Sequence, residues 1–168
     1  MKTGIMGTHG TGKTTYALRL AANLKHLQPG NQIGILGEVV RSCPFLVNQD
    51  ATEEAQRWIF HEQFVREIEE SSRNETLICD RTVLDSLAYS QRAGFHDLVG
   101  EAMPLALRWM KTYDELYFLQ PDTDPPADDG FRDTDRAFQM EIDRILAGWV
   151  IDYKIPATRV VILDQQGK

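Results

Sequence analysis

A short apolar run, Gly4-Ile5-Met6, leads directly into Gly7-Thr8-His9-Gly10-Thr11-Gly12-Lys13-Thr14, which fits the pattern Gly-x4-Gly-Lys-Thr. No other segment limits the possible folds so strongly. A strand, a glycine-rich turn and a helix in immediate succession aim several backbone N–H groups at one point, and that makes a cradle for a polyphosphate. In such a loop Lys13 reaches the terminal phosphates and the Thr14 hydroxyl holds Mg²⁺. Gly7, Thr8, His9, Gly10, Thr11, Gly12 and Thr15 complete the phosphate-binding stretch. His9 fills a freely variable position of the pattern, and its side chain is expected to face solvent.

The rest of the chain alternates apolar runs with helical periodicity, the pattern of an α/β fold with a parallel sheet. Strands are expected at Lys2–Met6, Gln32–Leu36, Thr76–Cys79, Glu115–Leu119 and Arg159–Leu163. A first helix runs from Lys13 to the stop at Pro29-Gly30. A second is expected from a capping box at Asp50 and Glu53 to about Arg73, with Trp58, Val65 and Ile68 on its buried side and His61 structural on the same face. Two more follow near Val83–Arg92 and Leu98–Thr112, divided around Gly94. The last starts at Thr134 or Asp135 and turns Phe138, Ile142, Leu146 and Trp149 inward. Trp58, Trp109 and Trp149 read as core residues. One segment, Gln120 to Thr134, is rich in proline and aspartate and cannot pack a core, so a lid is expected over roughly residues 121–136.

With 168 residues the chain suits one domain spanning 1–168. A formal net charge of −7 argues against a protein that coats nucleic acid, although gripping one nucleic-acid end stays open. No apolar run is long enough to cross a bilayer, and no signal peptide is evident, so no membrane partner and a cytoplasmic setting are expected. Cys43 and Cys79 are too scattered for a metal cluster or a disulfide framework and read as reduced.

In open parallel sheets ligands bind beyond the carboxyl ends of the strands, so the residues there are the site candidates. Asp80-Arg81 follows the third strand. Asp80 could hold Mg²⁺ or take a proton from an attacking hydroxyl, and Arg81 could neutralise phosphate charge; a salt-bridged pair at a helix start is the plainer alternative. Glu38 and Arg41 follow the second strand, suited to activating a hydroxyl and holding a phosphate, or to forming an ordinary surface pair. Asp85 and Tyr89, one turn apart, could bind or stack a base, though capping and packing would also explain them. In the lid, Arg132 and Arg136 are spaced to swing onto a transferring phosphate once Gly130 lets it close, or to pair with the neighbouring aspartates.

Taken in order, the phosphate loop, Gly37-Glu38-Val39-Val40-Arg41, Cys79-Asp80-Arg81-Thr82 and Gly130-Phe131-Arg132 resemble the P-loop kinases of nucleosides and nucleotides. The nearest likeness is to the ribosylnicotinamide-kinase-like ATPase domain of the bifunctional NadR proteins, and it covers nearly the whole chain. The Asp80-Arg81 pair is also similar to that of thymidylate and deoxynucleoside kinases. The resemblance implies a three-layer fold with five parallel strands ordered 2-3-1-4-5, ATP and Mg²⁺ as cosubstrates, and phosphoryl transfer to a small nucleoside- or nucleotide-like acceptor. The assignment that follows makes Lys13, Glu38, Asp80, Arg81 and Arg132 the catalytic set and puts the metal on Thr14 and Asp80. Glu38, Arg41, Asp80, Arg81, Asp85, Tyr89 and Arg136 would meet the acceptor, and a homodimer is an open expectation. The rival readings are a polynucleotide 5′-hydroxyl kinase, an ATPase or GTPase switch, and a nucleotide-binding module without an acceptor.

Overall fold

The computed structural model describes residues 1–122 and 134–160. Its centre is a five-stranded sheet of β1 (Lys2–Met6), β2 (Ile33–Leu36), β3 (Thr76–Asp80), β4 (Glu115–Leu119) and β5 (Thr158–Val160), ordered β2-β3-β1-β4-β5. Every neighbouring pair is parallel: Ile5 stands opposite Asp80 on one side and Tyr117 on the other. The expected strand order is therefore present. The last strand begins one residue earlier than expected, and Val161–Leu163 lie outside the described residues.

Side-chain alternation along the strands divides the interior in two. Met6, Leu77, Cys79, Leu116 and Phe118 point to one face, where α2 (Glu53–Arg73), α3 (Val83–Arg92), α4 (His96–Met110) and α5 (Arg136–Asp152) pack over them. Ile5, Ile78 and Leu119 point to the other, against Ala17, Leu20 and Leu24 of α1 (Lys13–Leu27). Strands β1 and β3 are central and apolar on both faces, as parallel strands covered by helices must be. Gly4 permits the close packing at the centre of β1, because a Cβ there would lie 2.8 Å from Leu116 and 2.9 Å from Thr82. Among the described residues, no helix is long and apolar enough to cross a membrane.

Helix α2 departs from expectation in two respects. Its cap is Thr52, whose hydroxyl accepts from Ala55 N, while Asp50 closes a 3-10 turn. Its buried side carries Gln56, Ile59, Phe60, Gln63 and Glu67, whereas Val65, Ile68 and His61 face solvent. The expected face was chosen by apolar spacing, but this helix turns three polar residues inward. Gln56 and Gln63 turn to a cavity beside the sheet's carboxyl edge, and Glu67 turns to Lys2, Trp109 and Tyr113, which all donate to its carboxylate.

Candidate active site

The loop between β1 and α1 is shaped by its glycines. Gly7, Gly10 and Gly12 have φ values of 144°, 72° and 77°, a region that side chains disfavour. At Gly7 the space is also missing: an added Cβ would lie 2.4 Å from the Leu119 carbonyl oxygen. Gly7→Ala is accordingly expected to destabilise the protein by more than about 1 kcal/mol and to weaken nucleotide binding. Denaturant unfolding checks the first effect and nucleotide titration the second. Unchanged values of both would show that the loop tolerates the added methyl.

Helix α1 begins with neither a side-chain cap nor an acidic residue in its first turn, so its dipole is left for an anion. Lys13, only 3 % exposed, bends back so that Nζ donates to the Thr8 carbonyl and lies 3.4 Å from Thr11 Oγ1. Burial first, and the Arg81 charge second, lower its pKa to about 7. Thr14 Oγ1 donates to Asp80 Oδ2 at 2.6 Å. This contact is possible because β1 and β3 are adjacent, which brings Asp80 to the first turn of α1. Asp80 is buried, and its Oδ1 makes no hydrogen bond. A hydroxyl and a carboxylate with one oxygen to spare are the hard ligands Mg²⁺ takes when phosphates and water fill its remaining positions. The residues present therefore fit that ion.

Arg81 has φ +111°, strain that a non-glycine residue holds only where its surroundings require it. Its N–H donates to the Ile5 carbonyl at 3.0 Å, anchoring the end of β3 to β1. Its side chain reaches across to Glu38, with Nε and Nη2 at 3.1 and 2.9 Å from Oε1. Arg41 Nε occupies the other Glu38 oxygen at 2.9 Å. Buried Arg81 Nη1 makes no hydrogen bond and lies 3.8 Å from Asp85 Oδ1.

Two spaces meet at Glu38. An outer cleft of about 350 Å³ lies among Gly12, Thr14, Thr15, Gly37, Glu38, Arg41 and Asp80. An inner cavity lies behind it, with Glu38, Arg81, Gln56, Gln63, Ser86 and Tyr89 in its wall. Gln56 and Gln63 were not singled out by sequence reasoning. The signal was there, since positions 56, 63 and 67 share one helical face with Ile59 and Phe60, but their polarity hid it.

Other expected contacts fall elsewhere. Asp85 is fully buried beneath the loop and does not line the cavity. Its Oδ1 accepts from Gly7 N at 2.9 Å, and its Oδ2 from Thr82 N and Thr82 Oγ1 at 2.7 and 2.8 Å, forming a capping box for α3. Burial raises its pKa, against the opposing pull of Arg81, Lys13 and these N–H groups. His9 is buried, contrary to expectation. Its Nδ1 is 3.0 Å from the Tyr89 hydroxyl, its ring packs on Phe138, and its carbonyl accepts from Gln139 Nε2 at 2.7 Å. Tyr89 does line the cavity, and its guanidinium neighbour Arg81 sits 5.5 Å from the ring centre. Arg136 donates to the Asp122 carbonyl and to Gln139 Oε1 at the start of α5, and it lines neither space. Gly130, Phe131 and Arg132, with most of the expected lid, lie outside the described residues.

The fold has counterparts among solved structures. Thymidylate kinase from Ehrlichia chaffeensis is similar with a TM-score of 0.67 and 18% identity, over 95% of this chain and 91% of that one. Deoxyadenosine kinase from M. mycoides with bound dATP gives 0.62 and 16%, over 98% and 93%. The same enzyme with dCMP and dCDP gives 0.64 and 15%, over 95% and 90%. At these identities the likeness is one of fold. No curated protein matches the chain. A family model described as an AAA domain, AAA_28, matches from residue 2 to residue 165. That span takes in the glycine loop, the Asp80-Arg81 step and all five strands, so the protein belongs to this AAA-domain family.

Proposed function

We propose that residues 1–168 are one P-loop kinase domain that transfers the terminal phosphate of ATP, with Mg²⁺, to a hydroxyl or phosphate of a small nucleoside- or nucleotide-like acceptor. The observation that carries this reading is the position of Glu38, which borders both the outer cleft beside Thr14 and Asp80 and the inner cavity beside Gln56, Gln63 and Tyr89. A hydrolase needs one nucleotide site and a water; a transferase needs two sites that meet. The fold shared with thymidylate and deoxyadenosine kinases supports a nucleoside-like occupant for the inner one.

In this mechanism Lys13 exchanges the Thr8 carbonyl for phosphate oxygens. Thr14 and Asp80 would hold Mg²⁺, which would offset the phosphate charge during transfer. Arg81, in the wall of the inner cavity, lends its positive charge to the transferring group, and Glu38, fixed between Arg81 and Arg41, orients the attacking hydroxyl. Arg132 supplies a further positive charge from the lid. The test is incubation with terminally labelled ATP, Mg²⁺ and a panel of nucleosides, nucleoside monophosphates and 5′-hydroxyl oligonucleotides. Label on a small acceptor is expected. Release of free phosphate at the same rate with and without acceptors would favour the hydrolytic reading that the AAA description keeps open. Label confined to oligonucleotide ends would favour a polynucleotide kinase.

Nucleotide binding should also be linked to protons. Lys13 titrates at about 7 in the free protein because burial disfavours its charge. Phosphates beside it favour the charged form and raise that value, so between about pH 7 and the ordinary lysine range binding takes up a proton. Calorimetric enthalpies of ATP binding at pH 8 are expected to vary with the ionisation enthalpy of the buffer. An enthalpy independent of buffer would contradict contact between Lys13 and phosphate.

A further inference from the structure

Gln139 sits on the buried face of α5, 1 % exposed, beside Phe138, Ile142 and Leu146. A polar side chain among apolar ones is placed by what it bonds, and here its two ends meet unlike neighbours. The Arg136 guanidinium can only donate, so it takes Oε1; the His9 carbonyl can only accept, so it takes Nε2, at 2.7 Å. Arg136 is fastened in turn to the Asp122 carbonyl. The amide of Gln139 therefore cannot turn over, and its N–H stays directed at the phosphate loop.

What that bond controls follows from the peptide it holds. The bond between His9 and Gly10 is trans, so the His9 carbonyl and the Gly10 N–H point to opposite sides of one rigid plane. With the carbonyl drawn to α5, the Gly10 N–H points away from that helix, and it makes no hydrogen bond among the described residues. Gly10 has φ 72°, and with no Cβ it opposes little when this plane rotates. The plane is therefore held from outside the loop. The preceding peptide has its own support, since the His9 N–H donates to the Tyr89 hydroxyl at 3.2 Å. We infer that Gln139 is a positioning residue for the donor nucleotide: by keeping the His9 carbonyl outward it aims the Gly10 N–H at the phosphates of ATP. Were the plane to turn over, a carbonyl oxygen would face the phosphates, and an attraction would become a repulsion. This inference rests on reading the glycine loop as the ATP site.

His9-Gly10 is the sole His-Gly step in the sequence, so full-length protein made with ¹³C-carbonyl histidine and ¹⁵N-glycine shows this one peptide in a carbonyl-filtered amide spectrum. On addition of ATP and Mg²⁺ the wild-type Gly10 proton is expected to move downfield, because a short, charge-assisted hydrogen bond to a phosphate oxygen deshields it. Gln139→Met, close in size and unable to donate, should lose that move and bind ATP about ten-fold or more weakly. Gln139→Glu keeps the shape, but its carboxylate, ionised beside Arg136, sets an acceptor against the His9 carbonyl. It should lose the move as well, and it serves if the methionine variant does not fold. A glutamine that merely tied α5 to the loop would lower the melting temperature on removal and leave both the move and the affinity in place. The inference is overturned if ATP binds the wild type without moving the Gly10 proton, or if the move survives in either variant. It is also overturned if a folded variant binds ATP within about three-fold of the wild type. Failure of the wild type to bind ATP would remove this inference together with the kinase reading. ATP that binds with the move yet passes its phosphate to no acceptor would remove the kinase reading and leave the role of Gln139 standing.

Discussion

Lys13→Ala is expected to lower phosphoryl transfer by roughly 10²- to 10⁴-fold while the protein stays folded. In the structure the Lys13 ammonium is almost wholly out of water and has a carbonyl and a hydroxyl for company instead of an anion. Such a position makes sense only for a charge that awaits a partner. Removing it takes away the group aimed at the terminal phosphates but no part of either apolar cluster, so the variant should melt no lower than the parent, and near pH 7 higher, because the cost of burying the ammonium goes with the side chain. The variant should differ in one further respect. Because burial holds the folded pKa near 7, below the unfolded value of about 10.5, the unfolded chain binds more protons between those limits. Wild-type stability therefore gains a contribution as pH rises from about 7 towards 10.5, and the alanine variant lacks it. Denaturant curves at pH 7 and pH 9.5, alongside steady-state rates, measure both effects. A variant that transfers phosphate at the parent rate would refute the mechanism outright.

Asp85→Ala should act on the fold first. The carboxylate gathers Gly7 N, Thr82 N and Thr82 Oγ1, and it faces Arg81, all in a region closed to water. Deleting it strands those donors and removes one of the two carboxylates beside the buried guanidinium, a loss of about 3 to 5 kcal/mol. For a chain of this size that corresponds to a melting temperature lower by about 6 to 20 °C. Nucleotide affinity should fall as well, because Gly7 is the hinge between β1 and the loop. If Asp85 instead contacted the acceptor base, the melting temperature would hold within about 2 °C and only the acceptor KM would rise. Differential scanning calorimetry and acceptor titration separate the two outcomes.

Local pattern made the donor side of this site readable. The glycine positions, Lys13 and Thr14 are dictated within eight consecutive residues, and alternating strands and helices imply that Glu38 and Asp80 emerge on the same edge as the loop. What stays hidden at that level is any contact made between segments far apart in the chain. For Asp85 the sequence left a base contact and a cap both open, because nothing local reveals that Gly7, 78 residues earlier, points an N–H at it. His9 read as solvent-facing because Tyr89, Phe138 and Gln139 close over it only when α3 and α5 pack against the loop. Helix α2 misled for a related reason: periodicity marks the apolar stripe, but burial follows whatever the neighbouring elements enclose, and here they enclose Gln56, Gln63 and Glu67.

Backbone chemistry is local, so the order of residues alone specified a glycine turn, an unblocked helix start and a lysine and threonine placed for phosphate. Side-chain pairing is not local. It took the adjacency of β1 and β3 to set Asp80 against Thr14, the reach of Arg81 to fasten Glu38 between two spaces, and the approach of α2 to α4 to set Glu67 against Trp109. Those distances depend on how the helices settle on the sheet, and no spacing within the chain encodes them.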